Sequence, residues 1–346
     1  MAGILAASGQ TSFQSVLQVF KESGDSNMQP YPVGITREVV AVKATEVGPS
    51  GTETDFSAPA ASTPAKIKAY LELTKPRITF LVVLTAAAGF CLGAKGSVSL
   101  FRLFGTLLGI ALLSAGIGTL NQYMERGLDG LMNRTKLRPL PAGKLRSQTA
   151  LRFGLLLSGL GILQLAVSIS LLTAALGVAT FVGYLLAYTP LKTRSSLSTV
   201  VGAFPGAMPP LIGWAAARGT LGIEAWILFA ILFLWQFPHF LAIAWMYRED
   251  YARAGIKMLP VVEPEGRITG QQIVTYTLML LPVSMLPALV RLAGTAYLAG
   301  ALGLGIVFLY FSARMAMVRT RGQARMLFRA SILYLPALFI LMVLNP

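Results

Sequence analysis

The sequence predicts an all-α, polytopic membrane protein: nine transmembrane helices around a central cavity, with a polar site at the cytoplasmic end. Three observations carry that expectation. Of 346 residues, 55% are hydrophobic and 12% charged, about half the charged fraction of an ordinary soluble domain. Apolar runs long enough to cross a hydrocarbon core of about 30 Å recur along most of the chain. Cations gather in every second connection between those runs, as the positive-inside bias requires.

Residues 1–65 precede the first run. They are rich in Ser, Thr, Pro, Gly and Ala, show no sustained period, and carry three basic and six acidic residues. Such a composition predicts a disordered tail, with Phe13–Phe20 as its one short amphipathic pattern. The first 36 residues lack Arg and show no signal-peptide layout, so neither a transit peptide nor a secretory leader is expected. Residues 66–346 then form one membrane domain, with spans expected at 77–95, 102–121, 151–168, 170–188, 199–217, 225–247, 272–292, 295–314 and 326–344. Backbone groups in lipid must bond internally, which selects helices. The runs are built from Gly, small residues and Leu rather than from alternating β-branched residues, which disfavours barrel strands. The fifth run contains GAFPGAMPPLIGW (202–214), with three prolines and three glycines; an interrupted span of that kind borders protein or a cavity rather than lipid.

The net charge is +15. It is concentrated after residue 65, where twenty-six cations face eight carboxylates. Twenty-two of those cations fall on the side of the N-terminal flank (Lys66, Lys68, Lys75, Arg77) and four on the other (Lys95, Arg102, Arg218, Arg291). The expected location is a bacterial inner membrane, and that split orients the chain in it with the N-terminus cytoplasmic and the C-terminus outside. It also accounts for the basic balance without nucleic acid. The single cysteine, Cys91, can form no internal disulfide.

Four of the eight carboxylates after residue 65 stand at the ends of the second and sixth spans. The first group lies in NQYMERGLDGLMNRTKLRPLPAG (121–143). Asn121, Glu125 and Asp129 are spaced i, i+4, i+8, which puts them on one helical face, with Gly127 and Gly130 expected to loosen the helix before its end. Oxygen ligands along one stripe suit a hard cation such as Mg²⁺, which commonly joins one or two carboxylates to substrate phosphates. Arg134, Arg138 and Lys144 follow, ready to pair with phosphate oxygens. The plainer alternative is a solvated helix end with i,i+4 pairs.

The second group lies in LWQFPHFLAIAWMYREDYARAGIK (234–257). His239, the only histidine, sits within a span; ionisable groups there usually face a cavity or a partner. A continuous helix would put Asp250 on the stripe of His239, about 16 Å further along, unless Pro238 kinks it. Glu249 and Asp250 form an acidic edge beside Tyr247, Arg248, Tyr251 and Lys257. Trp235, Phe237, Phe240 and Trp245 could line a flat pocket, although aromatic stripes are more often packing or lipid contacts. A third, smaller signal is Tyr188-Thr-Pro-Leu-Lys192, which closes the fourth span with another cation on the same side. No phosphate-binding glycine loop, zinc spacing or nucleophile elbow is present.

Acidic stripes and many cations at one end of an apolar bundle suit transfer of an isoprenoid from its diphosphate. Mg²⁺ would neutralise the leaving group, Arg and Lys would stabilise charge building on it, and the apolar interior would shield an allylic cation from water.

The same segments resemble the UbiA-type intramembrane prenyltransferases over roughly Leu71 to Leu344. NQYMERGLDGLMNRTKLRPLPAG looks like that family's first motif, with Glu125 where quinone-pathway relatives tend to carry Asp. WQFPHFLAIAWMYREDYARAGIKMLPVV is similar to its second, with Tyr247 and Tyr251 where those relatives carry a carboxylate pair. That difference favours the branch acting on haem over one acting on an aromatic quinone or chlorophyll precursor. YTPLKTRSSLSTVVGAFPGAMPPLIGW also matches, with Ser198 where Asn is expected. The resemblance implies farnesyl transfer to the 2-vinyl group of haem B, with water addition, to give haem O and diphosphate; haem B is then a substrate and Mg²⁺ the cofactor. It implies a metal set of Asn121, Glu125 and Asp129 with Glu249 and Asp250, and catalytic roles for Asn121, Glu125, Asp129, Lys192 and Asp250. Arg134, Arg138, Tyr188, His239, Tyr247, Arg248, Glu249, Tyr251 and Lys257 become candidate substrate contacts, His239 as an axial contact to haem iron. Partners are haem B, farnesyl diphosphate, the bilayer and a haem A synthase. A carrier of an anionic lipid is the non-enzymatic alternative, and it would need no metal stripe.

Overall fold

A computed structural model of the chain describes residues 63–94 and 98–345; the expected tail up to residue 62, its Phe13–Phe20 pattern and Lys95 lie outside the described residues. A surface helix α1 (Thr63–Leu73) leads into α2 (Pro76–Gly93). Proline fits the first turn of α2, where its missing N–H has no partner to lose. The residue before it, Lys75, adopts the left-handed conformation at φ 49°. Helix α3 (Leu100–Leu131) has 32 residues, about 48 Å at 1.5 Å each, well beyond a hydrocarbon core of about 30 Å. Then come α4 (Ser147–Ser168) and α5 (Leu171–Val182), which runs on through a π-turn (Gly183–Tyr188) and a short turn at Thr189–Leu191. Next are α6 (Ser198–Arg218), stopped by Gly219 at φ 76°, α7 (Ile223–Met246), and the short α8 (Arg248–Arg253) and α9 (Leu259–Val262). The last three are α10 (Arg267–Leu289), α11 (Thr295–Val318) and α12 (Arg321–Leu344).

Among the described residues nine helical segments are long and apolar enough to span a membrane, and there is no strand. The spans agree with those expected within a few residues, with three corrections. Helix α3 continues ten residues past the apolar run, straight through Gly127 and Gly130, so Asp129 stays on the stripe. Helix α7 passes Pro238 without a break but stops at Met246, where Tyr247 leaves helical geometry at φ −115°, ψ 21°. His239 and Asp250 therefore do not share a helical stripe. Helix α6 runs unbroken through Pro205, Pro209 and Pro210. It is among the most buried spans, so protein rather than lipid meets its altered backbone.

Lipid removes the hydrophobic drive between helices, so dispersion and close backbone approach must hold them. Two contacts show it. A Cβ on Gly89 of α2 would overlap the backbone of Pro210, and one on Gly213 of α6 would overlap the Ala86 carbonyl. The two helices cross backbone to backbone, which fixes the height at which α2 carries Lys75. One apolar cluster joins α2–α6 through Ala86, Ile110, Leu113, Leu165 and Ile212. A larger one joins α6, α7 and α10–α12 through Trp214, Leu228, Ile273, Phe308 and Leu338. A third is small but decisive for the site: Met132, Ala244, Ala254, Ile256 and Met258 tie the end of α3 to the end of α7 and the chain after α8.

Candidate active site

The overshoot of α3 carries Asn121, Glu125 and Asp129, which are 2%, 6% and 0% exposed. Each has a basic side chain on it. The Lys75 ammonium donates to Asn121 Oδ1 at 2.7 Å, and Asn121 Nδ2 donates to Thr189 Oγ1. Lys192 Nζ donates to Glu125 Oε1 at 2.5 Å. Arg138 curls back from the following loop and donates Nη1 to both oxygens of Asp129, at 2.8 and 2.9 Å. The backbone of that loop is tied to the same residue, since Thr135 Oγ1 and the Met132 amide both donate to the Asp129 carbonyl.

Three elements deliver these cations. Lys75 comes from the turn before α2, where its left-handed backbone is strained for a side-chain-bearing residue and is held by the surrounding structure. Burial, reinforced by the Arg138 cation and only partly opposed by Glu125, lowers the Lys75 ammonium to about 7. Lys192 comes from the end of the fourth span. The π-turn there inserts an extra residue into the helix, a feature frequent at functional sites, and brings Tyr188, Thr189 and Lys192 to α3. The Lys192 ammonium also lies 4.5 Å from the Tyr188 ring centroid, and the next residue-189 contact closes the turn, Thr189 Oγ1 donating to the Tyr184 carbonyl. Ser198, where the motif resemblance leads one to expect an amide, is fully buried with Oγ unpaired.

The second segment reaches the same end of the bundle. Arg134 lies against the rings of Tyr247 and Tyr251, at 4.9 and 4.6 Å from their centroids, and donates to the Tyr251 hydroxyl at 2.7 Å. Asp250 is buried, bonded to Arg253 and to the Arg134 backbone amide. Glu249 instead points outward to Arg321. So Glu249 and Asp250 are turned to different partners. Arg248 stacks on Trp245. Lys257 is exposed, while its backbone amide donates to the Lys192 carbonyl, and Lys144 folds onto the Leu137 carbonyl.

His239 faces α12. Its Nδ1 lies 2.7 Å from Ser331 Oγ, and that hydroxyl spends its one proton on the Phe328 carbonyl, also at 2.7 Å. That arrangement suits the tautomer in which Nδ1 donates to Ser331 and Nε2 keeps the lone pair. The ring stacks on Trp235 and leans on Phe328, and the Trp235 indole donates to the Ser331 carbonyl.

Beside the stripe an apolar cavity runs between α2, α3 and α6, lined by Ile78, Val82, Ile110, Leu113, Ile117 and Ile212, with Lys75 in its wall. Its lining follows α3 from Gly118 back to Ile110, so its floor is eleven residues, about 16 Å, from Asn121. Thr79 and Ser114 hydrogen-bond across it at 3.1 Å.

The residues fit a hard divalent cation. Asn121, Glu125 and Asp129 offer only oxygens from their acceptor atoms, they are buried on one face, and the cations on them are the partners a diphosphate would want. Among the described residues no three His, Cys, Asp or Glu side chains cluster to cage a metal, so a cation here must complete its shell with substrate or water oxygens, as Mg²⁺ commonly does. Lys75 escaped sequence reasoning, which counted it only as a flanking charge; a lysine directly before the proline that opens a span was the one available signal. Ser331 left none.

The profile of the UbiA prenyltransferase family matches residues 82–340. A protein from Solibacter usitatus named protoheme IX farnesyltransferase is 50% identical over 285 residues, covering 80% of this chain and 98% of that one. Its namesake in Koribacter versatilis is 47% identical, covering 81% and 93%. The fold is similar to that of a digeranylgeranylglyceryl phosphate synthase, at TM-score 0.69 and 17% identity over 81% of this chain and 98% of that one. It is also similar to a UbiA homologue of Archaeoglobus fulgidus described as bound to GPP and Mg²⁺, at 0.60 and 18% over 79% and 99%. A bundle of nine membrane-length helices among the described residues, a buried oxygen stripe ringed by basic side chains and an apolar cavity beside it thus accompany a family match over most of the chain, and the chain belongs to the UbiA prenyltransferase family and is a prenyltransferase.

Proposed function

We propose that residues 66–346 transfer the farnesyl group of farnesyl diphosphate to the 2-vinyl group of haem B, giving haem O and diphosphate. One observation carries the reading: three buried acceptors, each matched to a basic side chain, stand at the end of an apolar cavity. The relatives' printed name supports haem as the acceptor, and the positive-inside bias supports a site on the cytoplasmic side of a bacterial inner membrane.

Asn121, Glu125 and Asp129 would hold Mg²⁺, which would supply charge neutralisation to the diphosphate. Lys192 and Arg138 hold the diphosphate and stabilise the charge it gains as the bond between its oxygen and farnesyl C1 breaks, the electron pair leaving with oxygen. Lys75, at the junction of stripe and cavity, holds the same end of the substrate. The apolar lining keeps water from the allylic cation. The vinyl π electrons of haem B form the new bond to C1, and water adds to the resulting cation next to the macrocycle and loses a proton, leaving a hydroxyl group. Haem B is a substrate and leaves as haem O, which a haem A synthase can take up. His239, through Nε2, is the ligand offered to haem iron, and Arg134 with Tyr247 and Tyr251 borders the site's mouth.

The test is membranes carrying the chain, supplied with haem B, farnesyl diphosphate and Mg²⁺, with extracted pigments weighed by mass spectrometry. Haem O should form, and Asp129→Ala at equal membrane abundance should form none. A fully active Asp129→Ala protein would refute the assignment of the stripe.

A further inference from the structure

We propose that the resting stripe is closed by its own cations, and that a divalent cation and a diphosphate can enter it only together. The inference rests on reading the stripe as a metal–diphosphate centre, and it adds how that centre is kept shut. Asn121, Glu125 and Asp129 face Lys75, Lys192 and Arg138 one to one. The two carboxylates are buried, so no layer of bulk water separates a newcomer from these pairs. A divalent cation arriving alone must displace the Lys192 ammonium and the Arg138 guanidinium from the carboxylates, and it leaves the buried Lys192 without an anion. A diphosphate arriving alone must pull the same cations away and leave the carboxylates unpaired beside it. Either half-exchange strands buried charge, the costly outcome for any ion pair in a low-dielectric setting. Entering together, the metal takes the carboxylates while the diphosphate takes the cations they release. Every charge keeps a partner. The site's own balance points the same way: two carboxylates against up to three cations repel a lone metal, whereas a metal–diphosphate pair is net anionic.

The pairing predicts an inversion that a preformed metal site would not show. Removing a competing cation should strengthen binding of metal alone and weaken binding of diphosphate. The full chain in lipid nanodiscs is titrated with Mn²⁺, read by electron paramagnetic resonance, with and without inorganic diphosphate, and with diphosphate by calorimetry. Diphosphate should tighten Mn²⁺ binding by about tenfold or more, and by linkage Mn²⁺ should tighten diphosphate by the same factor. Lys192→Met should tighten Mn²⁺ alone by about tenfold while loosening diphosphate. Arg138→Gln, a second variant on a separate element, should do the same if Lys192→Met yields too little folded protein. Glu125→Gln with Asp129→Asn should abolish uptake of the pair. If that double variant abolishes uptake but neither cation variant tightens Mn²⁺ alone, the centre stands and its self-closure falls. If Mn²⁺ binds equally well with and without diphosphate, self-closure falls likewise. If the double variant takes up the pair undiminished, the centre lies elsewhere and both readings fall.

Discussion

Replacing Glu125 with alanine should destabilise the bundle through the lysine it abandons, whatever it does to turnover. The Lys192 and Glu125 side chains are 13% and 8% exposed and 2.5 Å apart. At an effective dielectric of 20 two unit charges at that distance attract by about 6.6 kcal/mol, an upper bound on the loss. Lys192 can limit it by shedding its proton, which from an ordinary lysine at pH 7 costs about 4.6 kcal/mol. The expected destabilisation is therefore about 3–5 kcal/mol, the usual penalty for breaking a buried pair from one side. Glu125→Ala combined with Lys192→Met removes both charges and should recover at least about 2 kcal/mol of that loss. Thermal unfolding of the detergent-solubilised full chain, followed by tryptophan fluorescence, reads the difference. The Glu125→Ala deficit should also shrink as pH rises from 7 towards 10, because neutralising Lys192 becomes cheaper by about 1.4 kcal/mol per unit. A double variant as unstable as the two single losses added together, or a deficit flat with pH, would refute the reasoning.

Four further outcomes follow. Ile110→Trp raises the floor of the cavity and should shift the ratio of geranyl to farnesyl transfer upward by about tenfold, read by mass spectrometry with both diphosphates in competition; an unchanged ratio would place the prenyl chain elsewhere. Lys75, lowered to about 7 mainly by burial, is largely neutral in the resting protein at pH 8, so diphosphate uptake should draw in a proton there and almost none at pH 5.5, and calorimetry in buffers of different ionisation enthalpy should lose this component in Lys75→Met. The same depressed value means the unfolded chain binds more protons than the folded one from about pH 7 to 10, so Lys75 makes stability rise with pH across that window, and Lys75→Met should flatten the rise. Ser331→Ala frees Nδ1 of His239 and should weaken haem B binding several-fold with a shifted absorption spectrum, Ser331→Thr should restore both, and farnesyl diphosphate affinity should stay put; an unaltered spectrum would leave Ser331 as a packing contact.

The spans were legible because lipid permits so little else. Hydropathy marks where backbone must satisfy itself, and helices result. It fails where a helix outlives its apolar run. Nothing in the hydropathy of residues 122–131 announces helix, yet α3 persists there because Met132 and Leu128 pack against the ends of α7 and of the loop beyond α8. The opposite error occurred at Met246: a wheel drawn from His239 to Asp250 assumes a continuous helix, and the chain turns at Tyr247 instead. Both are tertiary decisions, made by contacts far away in sequence.

The site divides in the same way. Spacing alone put Asn121, Glu125 and Asp129 on one face, since four-residue steps on a helix are a local matter. Composition supplied an excess of cations nearby. What neither supplied was the pairing. Lys75 meets Asn121 across 46 residues, Lys192 meets Glu125 across 67, and His239 finds Ser331 across 92. Lys192 reaches its partner through a π-turn, and Lys75 from a left-handed residue that its own sequence disfavours. These pairings matter because they convert a list of charged residues into a balanced set. An acidic stripe read alone predicts avid metal binding, whereas the same stripe with a cation on each carboxylate predicts resistance to metal until an anion arrives to take the cations away. The two expectations have opposite signs for Lys192→Met, and only the folded arrangement chooses between them.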